Sequence, residues 1–137
     1  MAGYSGTPLF KKLGLKPGMR LYVKNAPDDY WQWIEPALDE ISVLKRLGTN
    51  VDMVHLFTLE RRELESNIPS IMQKIKNEGM IWVSWPKKAS KVPTDVTEDV
   101  IREVILPLGL VDVKVCAVSD VWSALKVVIR KENRKQQ

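Results

Sequence analysis

The sequence predicts an α/β fold with three layers, built on a mostly parallel sheet of about five strands that ends in a C-terminal antiparallel hairpin. Three observations support this prediction. Compact apolar segments alternate with amphipathic ones along the chain, as strands and helices alternate in α/β folds. Two apolar segments near the C-terminus, 110–118 and 123–130, leave no room between them for a crossover helix. A chain of 137 residues with 45% hydrophobic residues suits a single domain, 1–137.

The N-terminal part is predicted to contain an arm, a short helix and the first strand. Residues 1–8 are interpreted as a loose arm. The helix that follows covers residues 9–14 and ends at Gly14, because glycine readily closes a helix. Residues 19–24 alternate apolar and polar side chains and predict the first strand.

Two short helices and a buried strand are predicted next. Asp28 or Asp29 can cap the first helix, and Pro36 limits its length. The second helix is expected over residues 38–47. Residues 51–58 form a compact apolar segment, which is typical of a strand buried in a parallel sheet.

A long helix and another buried strand are predicted in the middle of the chain. Residues 59–78 favour a helix with one apolar face, although Pro69 is expected to break or kink it. Gly79 is expected to end this helix. Residues 80–85 then predict the third buried strand.

The C-terminal part contains the clearest helix pattern and the hairpin. Asp95 is expected to cap the helix, with Glu98 in the capping-box position three residues later. Residues 110–118 and 123–130 are expected to pair antiparallel. The polar residues 131–137 are interpreted as a flexible basic tail.

Charge and composition exclude several classes of site. Subtracting 17 Asp and Glu from 21 Lys and Arg leaves a net charge of +4, part of which lies in the last eight residues. The body is therefore nearly neutral, which disfavours nucleic-acid binding. Cys116 and His55 are the only residues of their types, so neither an internal disulfide nor a zinc site of cysteines and histidines is expected. With no apolar segment of membrane-spanning length, we expect a cytoplasmic protein without a membrane partner.

Residues 13–21, 51–57 and 79–85, together with the terminal hairpin, resemble the core of class I S-adenosylmethionine methyltransferases, which have a Rossmann-like fold. Residues 13–21 are similar to the entry to that family's first strand, 51–57 to its fourth and 79–85 to its fifth. The terminal hairpin resembles its sixth and seventh strands. The resemblance implies a methyltransferase-like α/β core.

The same resemblance also implies that the cofactor half is truncated. In the family, the first strand leads into a glycine-rich turn, whereas here it leads into Asn25-Ala26-Pro27. The family's second strand ends in an acidic residue that binds the cofactor ribose, but the short segment between the first two predicted strands cannot hold two extra strand–helix units. We therefore expect no cofactor.

A second resemblance extends over nearly the whole chain. Four segments are similar to a family of small bacterial proteins known as domain-of-unknown-function family 3052: residues 4–9, 82–88, 94–103 and 109–118. This resemblance implies no activity, cofactor or catalytic residue.

An anion site is predicted in the basic loop after the third buried strand. Ligands of open α/β sheets collect outside the carboxyl ends of the strands, where this loop begins. The loop contains Lys87, Lys88, Ser90 and Lys91 and runs toward the N-terminus of the predicted Asp95 helix. An ordinary solvated loop explains the same residues.

Candidate proton-transfer groups each have a structural explanation too. His55, Asp95 and Glu98 are the candidate acids or bases. A histidine within an apolar strand is also typical of a core residue, and an ion pair with Arg102 explains Glu98.

Trp31 and Trp33 suggest an interaction surface. They lie two residues apart on a predicted helix and cannot share a face, so one of them is expected to be exposed. Two hypotheses follow. The first is a non-catalytic binding or interaction domain that uses the Trp31 region and the Lys87 loop to bind a protein partner or a small anionic ligand. The alternative is a small enzyme acting on an anionic substrate, and a homo-oligomer is compatible with either.

Overall fold

The computed structural model describes residues 6–135 and contains six strands in one sheet. The strands are β1 (Arg20–Lys24), β2 (Ser42–Val43), β3 (Val51–Phe57), β4 (Ile75–Pro86), β5 (Leu110–Ala117) and β6 (Trp122–Ile129). Their order across the sheet is β2-β1-β3-β4-β6-β5. The pairs among β2, β1, β3 and β4 are parallel, whereas β6 is antiparallel to both β4 and β5. The predicted mostly parallel sheet with a C-terminal antiparallel hairpin is therefore confirmed.

Five α-helices cover the two faces of the sheet. They are α1 (Leu9–Leu13), α2 (Tyr30–Trp33), α3 (Glu35–Leu38), α4 (Arg61–Lys74) and α5 (Glu98–Ile105). On one face, α4 and α5 bury residues such as Ile68 and Ile101 against β3, β4 and β6. On the other face, α1, α2 and α3 bury residues such as Leu13 and Ile34. The three-layer α/β prediction is therefore confirmed.

The predicted helix over residues 38–47 is wrong, because this segment contains the short strand β2 in addition to the five predicted strands. In β2, Ser42 pairs with Arg20 of β1, and the Leu44 amide donates to the Leu21 carbonyl over 2.8 Å. The apolar spacing of the segment also fits a helix, so local pattern alone did not distinguish the two. Pairing with the open edge of β1 provides hydrogen-bond partners for the backbone of residues 42–44, and this favours a strand over a helix.

The predicted boundary between the long helix and the following strand is also wrong. Helix α4 continues past Pro69 but ends at Lys74, and β4 already begins at Ile75. Ile75 pairs with Val51 of β3 and is buried, so long-range pairing extends the strand into a sequence that favours a helix. Gly79 lies within β4, where a Cβ atom would approach the Val51 carbonyl oxygen to 3.0 Å.

Helix α5 has a different cap from the predicted one. The Thr97 side chain accepts a hydrogen bond from the Val100 amide over 3.1 Å, so Glu98 is the first helical residue. The expected capping box of Asp95 and Glu98 is therefore wrong. Asp95 acts on the neighbouring helix instead: its Oδ1 atom accepts from the amide of Arg61, the first residue of α4, over 2.6 Å.

The two chain ends are described only in part. Residues 1–5 of the expected arm and residues 136–137 of the expected tail lie outside the described range. Up to Lys135 the tail makes hydrogen bonds to the body: Asn133 Nδ2 donates to the Gly109 carbonyl over 3.1 Å, and the Lys135 amide donates to Asn77 Oδ1 over 2.9 Å. None of the helices between residues 6 and 135 is long and apolar enough to cross a membrane.

Replacing Thr97 by alanine tests the observed cap. The Thr97→Ala variant loses the acceptor for the Val100 amide, and we expect its free energy of unfolding to fall by about 1 kcal/mol. Thr97→Asp keeps an acceptor at the same position and should retain most of that stability. Urea unfolding monitored by circular dichroism measures both, and equal midpoints for wild type and Thr97→Ala would contradict the assignment.

Candidate functional site

The carboxyl ends of five strands, β2 among them, lie at one edge of the sheet. The parallel strands β1, β3 and β4 end at Lys24, Phe57 and Pro86. Strand β5 runs in the same direction as β4, because both are antiparallel to β6, so its last residue Ala117 lies at this edge too. In open α/β folds this is the edge at which ligands bind.

The crevice between β1 and β3 is bridged by a side chain. From β1 the chain passes to β2 on one side and then to β3 on the other, so the strand order reverses between β1 and β3. Asn25 follows β1 with a positive φ of 60°, and its Nδ2 atom donates to the Phe57 carbonyl over 3.1 Å. The contact joins the carboxyl ends of the two strands across the point where such folds hold their ligands.

Aromatic rings pack below this edge on the face that α2 covers. Tyr30 is fully buried and lies edge-on to Phe57, with 5.5 Å between the ring centroids. Phe57 in turn lies edge-on to Trp122, the first residue of β6, at 5.0 Å. Trp31 and Trp33 pack edge-on against Tyr30 and are both half-buried. The expectation that one of these two tryptophans is exposed is therefore wrong, because both wrap around one buried ring.

His55 lies at the centre of this aromatic group. Its ring is fully buried and stacks on Phe57 with 4.3 Å between centroids. A hydrogen bond of 2.9 Å joins Nδ1 to the Tyr30 hydroxyl, and one of 2.7 Å joins Nε2 to the Ser84 hydroxyl. A neutral imidazole has one donor and one acceptor, and each hydroxyl can take the complementary role, so the network is satisfied.

Burial keeps the network uncharged. It lowers the pKa of His55 from its ordinary value to about 3 and raises the pKa of the Tyr30 hydroxyl far above its ordinary range. The His55 ring has no solvent-exposed surface. The network therefore holds α2, β3 and β4 together.

An open cavity of about 360 Å³ lies beside the aromatic group at the carboxyl edge. Its ionisable lining residues are Asp29 and Asp120, and its large side chains are Trp33 and Trp122. Pro27, Ser119 and Val121 complete the lining. The cavity thus combines aromatic residues with negative charge. Sequence reasoning missed this combination because Asp29 and Trp33 precede Asp120 and Trp122 by 87 or more positions.

The predicted anion loop is closely tied to its own backbone. Lys88 and Lys91 are exposed, while the Ser90 hydroxyl donates to the Lys87 carbonyl over 2.6 Å. The Lys87 amide donates to the carbonyl of Val121, which lines the cavity, over 2.6 Å. The loop therefore supports the cavity wall, and its role as an anion site stays a prediction.

The candidate acid and base residues do not come together. His55 is sealed in the core, whereas Asp95 is exposed at the start of α4. Glu98 forms an ion pair with Arg102 on α5, which confirms that expectation. Arg102 also pairs with Asp112 of β5 over 3.0 Å, so Glu98 belongs to a surface ion-pair network. Within residues 6–135, no three Cys, His, Asp or Glu side chains are grouped as a metal site would require.

The strand order gives a Rossmann-like α/β fold, and solved structures of methyltransferases have a similar fold. A putative type 11 methyltransferase from Sulfolobus solfataricus matches with a TM-score of 0.62 and 11% identity, over 100% of this chain and 98% of its own. A SAM-dependent methyltransferase from Aquifex aeolicus matches with a TM-score of 0.60 and 15% identity, over 88% of each chain. A ribosomal protein L11 methylase from Lactobacillus delbrueckii subsp. bulgaricus matches with a TM-score of 0.50 and 12% identity, over 93% of this chain and 75% of its own.

These likenesses show the fold, which is that of class I S-adenosylmethionine methyltransferases, and leave activity open. No protein-family model and no curated protein sequence matches the chain. The resemblance to domain-of-unknown-function family 3052 is therefore not confirmed, and the expected truncation of the core stays a prediction.

The buried His55 makes stability depend on pH in a defined direction. The unfolded chain takes up a proton at the ordinary histidine pKa of about 6.5, whereas the native ring resists protonation down to about 3. The stability contribution is therefore fully present above pH 6.5 and is lost as pH falls below it. We expect the wild type to lose about 1.4 kcal/mol per pH unit more than His55→Gln in this window.

Chemical denaturation of both proteins between pH 7 and pH 4 measures that difference. Because His55 is the only histidine, its ring protons can also be followed by NMR in the native protein. A native imidazole that titrates near pH 6.5 would contradict the sealed network.

Proposed function

We propose that this protein is a methyltransferase-like binding domain that neither binds S-adenosylmethionine nor transfers methyl groups. The observation that carries the proposal is the Asn25 bridge, which joins β1 to β3 across the crevice that a cofactor of this fold would need. The resemblance to domain-of-unknown-function family 3052 belongs to the same proposal. It rests on the four sequence segments that are similar to that family.

The bridge and the ring below it close the crevice in two ways. The Asn25 amide occupies the space between the two strand ends and uses the Phe57 carbonyl as its acceptor. Tyr30 fills the face beneath and is fixed by its hydrogen bond to His55. Both contacts oppose the entry of a cofactor between the ends of β1 and β3, and breaking the one at His55 would cost about 1–3 kcal/mol because it leaves a buried nitrogen without a partner.

The residues that the methyltransferase resemblance assigns to cofactor binding also differ here. A glycine-rich turn after the first strand lets backbone amides approach the cofactor, and this chain has Ala26 and Pro27 in the corresponding turn. The family's second strand ends in a carboxylate, whereas β2 ends at Val43 and continues into Leu44 and Lys45. Both differences favour a scaffold without the cofactor.

The alternative of a small enzyme has weaker support. It needs His55 and a carboxylate such as Asp95 in one accessible pocket, and these two residues are separated as described above. A binding role needs only an accessible concave surface, which the edge cavity provides.

The cavity lining favours a positively charged ligand. Trp33 and Trp122 offer aromatic faces, and Asp29 and Asp120 offer carboxylates, while no lysine or arginine lines the cavity. An ammonium group against an indole ring gains about 0.5–2 kcal/mol, and neighbouring carboxylates add to the attraction. The volume of about 360 Å³ is within the range of small-molecule sites.

The first experiment tests the absence of cofactor binding. We expect isothermal titration of S-adenosylmethionine into the protein to show no binding with a Kd below about 1 mM, which corresponds to about 4 kcal/mol. The Asn25→Gly variant removes the bridge and serves as a comparison. Micromolar binding to the wild type would overturn the proposal.

The second experiment tests the charge preference of the cavity. Tetramethylammonium should quench tryptophan fluorescence saturably, whereas the neutral tert-butanol should not, because only the cation is attracted by indole faces and carboxylates. Asp29→Asn and Asp120→Asn should each weaken tetramethylammonium binding about three- to tenfold.

Asp28→Asn is the matched control, since Asp28 is exposed next to Asp29 but does not line the cavity. It removes the same charge from the same loop. Equal weakening by Asp28→Asn and Asp29→Asn, or equal quenching by both probes, would contradict a cation site in this cavity.

A further inference from the structure

Two lysines lie directly opposite each other on the face of the sheet that α1 covers. Lys114 of β5 pairs with Lys126 of β6, and Lys126 pairs with Trp82 of β4. Paired residues on neighbouring strands share a face and lie close together. The Lys114 ammonium also lies 6.0 Å from the centre of the Trp82 ring, so it extends over the sheet toward Lys126.

A β-bulge creates this pairing. Asp112 pairs with Val127, and the next pair is Lys114 with Lys126, so Val113 is an extra residue on β5. In a regular ladder Val113 would oppose Lys126, and Lys114 would point to the opposite face, where α5 packs. The bulge therefore turns Lys114 onto the α1 face and leaves Val113 54% exposed.

Two further lysines, one in α1 and one just after it, lie on the same side of the sheet. The Lys12 ammonium donates to the carbonyl of Ala117 at the end of β5 over 3.2 Å. Lys16 follows α1. The pKa of the Lys126 ammonium is lowered mainly by burial, and the positive charges of Lys114 and Lys16 lower it further. We call Lys12, Lys16, Lys114 and Lys126 the lysine cluster.

Among the described residues, no carboxylate forms an ion pair with the lysine cluster. The ion pairs of residues 6–135 involve Arg61, Arg62, Lys76, Arg102 and Arg130, and none involves a member of the cluster. The nearest acidic residue along β5, Asp112, pairs with Arg102 on the α5 side of the sheet. Like charges placed directly opposite on a sheet are destabilising, so this arrangement costs stability in the ligand-free protein.

We infer that the lysine cluster is a binding site for a doubly charged phosphate group, either free phosphate or a phosphate monoester. Lys114 and Lys126 can each donate to a different oxygen of one phosphate, which replaces their mutual repulsion by two charge-assisted hydrogen bonds. Lys12 and Lys16 add positive charge around the same group. Two converging ammonium groups favour a dianion over a monoanion.

This site is separate from both the edge cavity and the basic loop. The edge cavity is lined by carboxylates and suits a cation, whereas the cluster lies on the α1 face of the hairpin. Lys88 and Lys91 lie in the loop after β4. The site does not depend on the proposed binding role of the cavity, and either can fail without the other.

Phosphate titration of paired variants tests the inference. In a chloride buffer at constant ionic strength, inorganic phosphate and methyl phosphate should each raise the melting temperature of the wild type saturably, whereas dimethyl phosphate, a monoanion, should bind about tenfold more weakly. The Lys114→Gln/Lys126→Gln variant should lose this saturable shift. Comparing free phosphate with methyl phosphate shows which source of the group binds more tightly.

The Lys88→Gln/Lys91→Gln variant is the control, because it removes the same charge from another part of the same protein. It should keep the full phosphate shift, which separates specific binding from the general stabilisation that phosphate salts give. Loss of the shift in this variant alone, or equal shifts in both double variants, would overturn the inference.

Two further readouts keep the test valid if the double variant is unstable. Without phosphate, Lys126→Gln should melt at the same or a higher temperature than the wild type, because the substitution removes a like-charge contact. In ¹H–¹⁵N NMR spectra of the wild type, phosphate should shift the amides of β5 and β6 around Lys114 and Lys126. Shifts centred on residues 87–91 instead would contradict the site.

Discussion

The buried hydrogen bonds of His55 hold together the part of the structure on which the rest depends. They join α2, through Tyr30, to β3 and β4, through His55 and Ser84. An unpaired imidazole at this depth would be costly, so α2 must keep Tyr30 pointing into the sheet. The position of Tyr30 in turn places Trp33 at the edge, where it forms one wall of the cavity. His55, a candidate base on sequence grounds, therefore links α2 to the sheet through its two hydrogen bonds.

The sheet has a methyltransferase-like fold, and its carboxyl edge has two features of its own. Asn25 spans the gap between the ends of β1 and β3, and the accessible concavity lies beside that gap, next to Trp33 and Trp122. The acidic residues of the cavity and the lysine cluster also lie in different parts of the protein. Carboxylates line the edge cavity, and lysines cluster on the α1 face of the hairpin. The same fold can carry different sites, so the likeness to methyltransferases describes the fold of this protein and not its activity.

Local patterns predicted those elements whose hydrophobic period agrees with their tertiary environment. The buried strand β3, the amphipathic helix α5 and the hairpin of β5 and β6 are in this group. The patterns gave wrong predictions at β2 and at Ile75. The apolar residues there have a helical spacing, but both segments form strands. Both segments lie beside an open strand edge, and backbone pairing with β1 or β3 outweighs the small helix preference of the side chains. The prediction for Asp95 was wrong for a related reason, since its carboxylate accepts from the Arg61 amide of α4, a contact between segments far apart in the sequence.

The sequence by itself determined the three-layer α/β fold and the mostly parallel sheet with its antiparallel hairpin, because both depend on residue type and spacing within short segments. Only the tertiary structure decided what the chemical groups do. It sealed His55 between Tyr30 and Ser84, brought Asp29 and Asp120 to one cavity, and turned Lys114 toward Lys126 through a bulge. These contacts join residues far apart in the chain, and their geometry depends on strand register and helix placement, which side-chain periodicity does not specify.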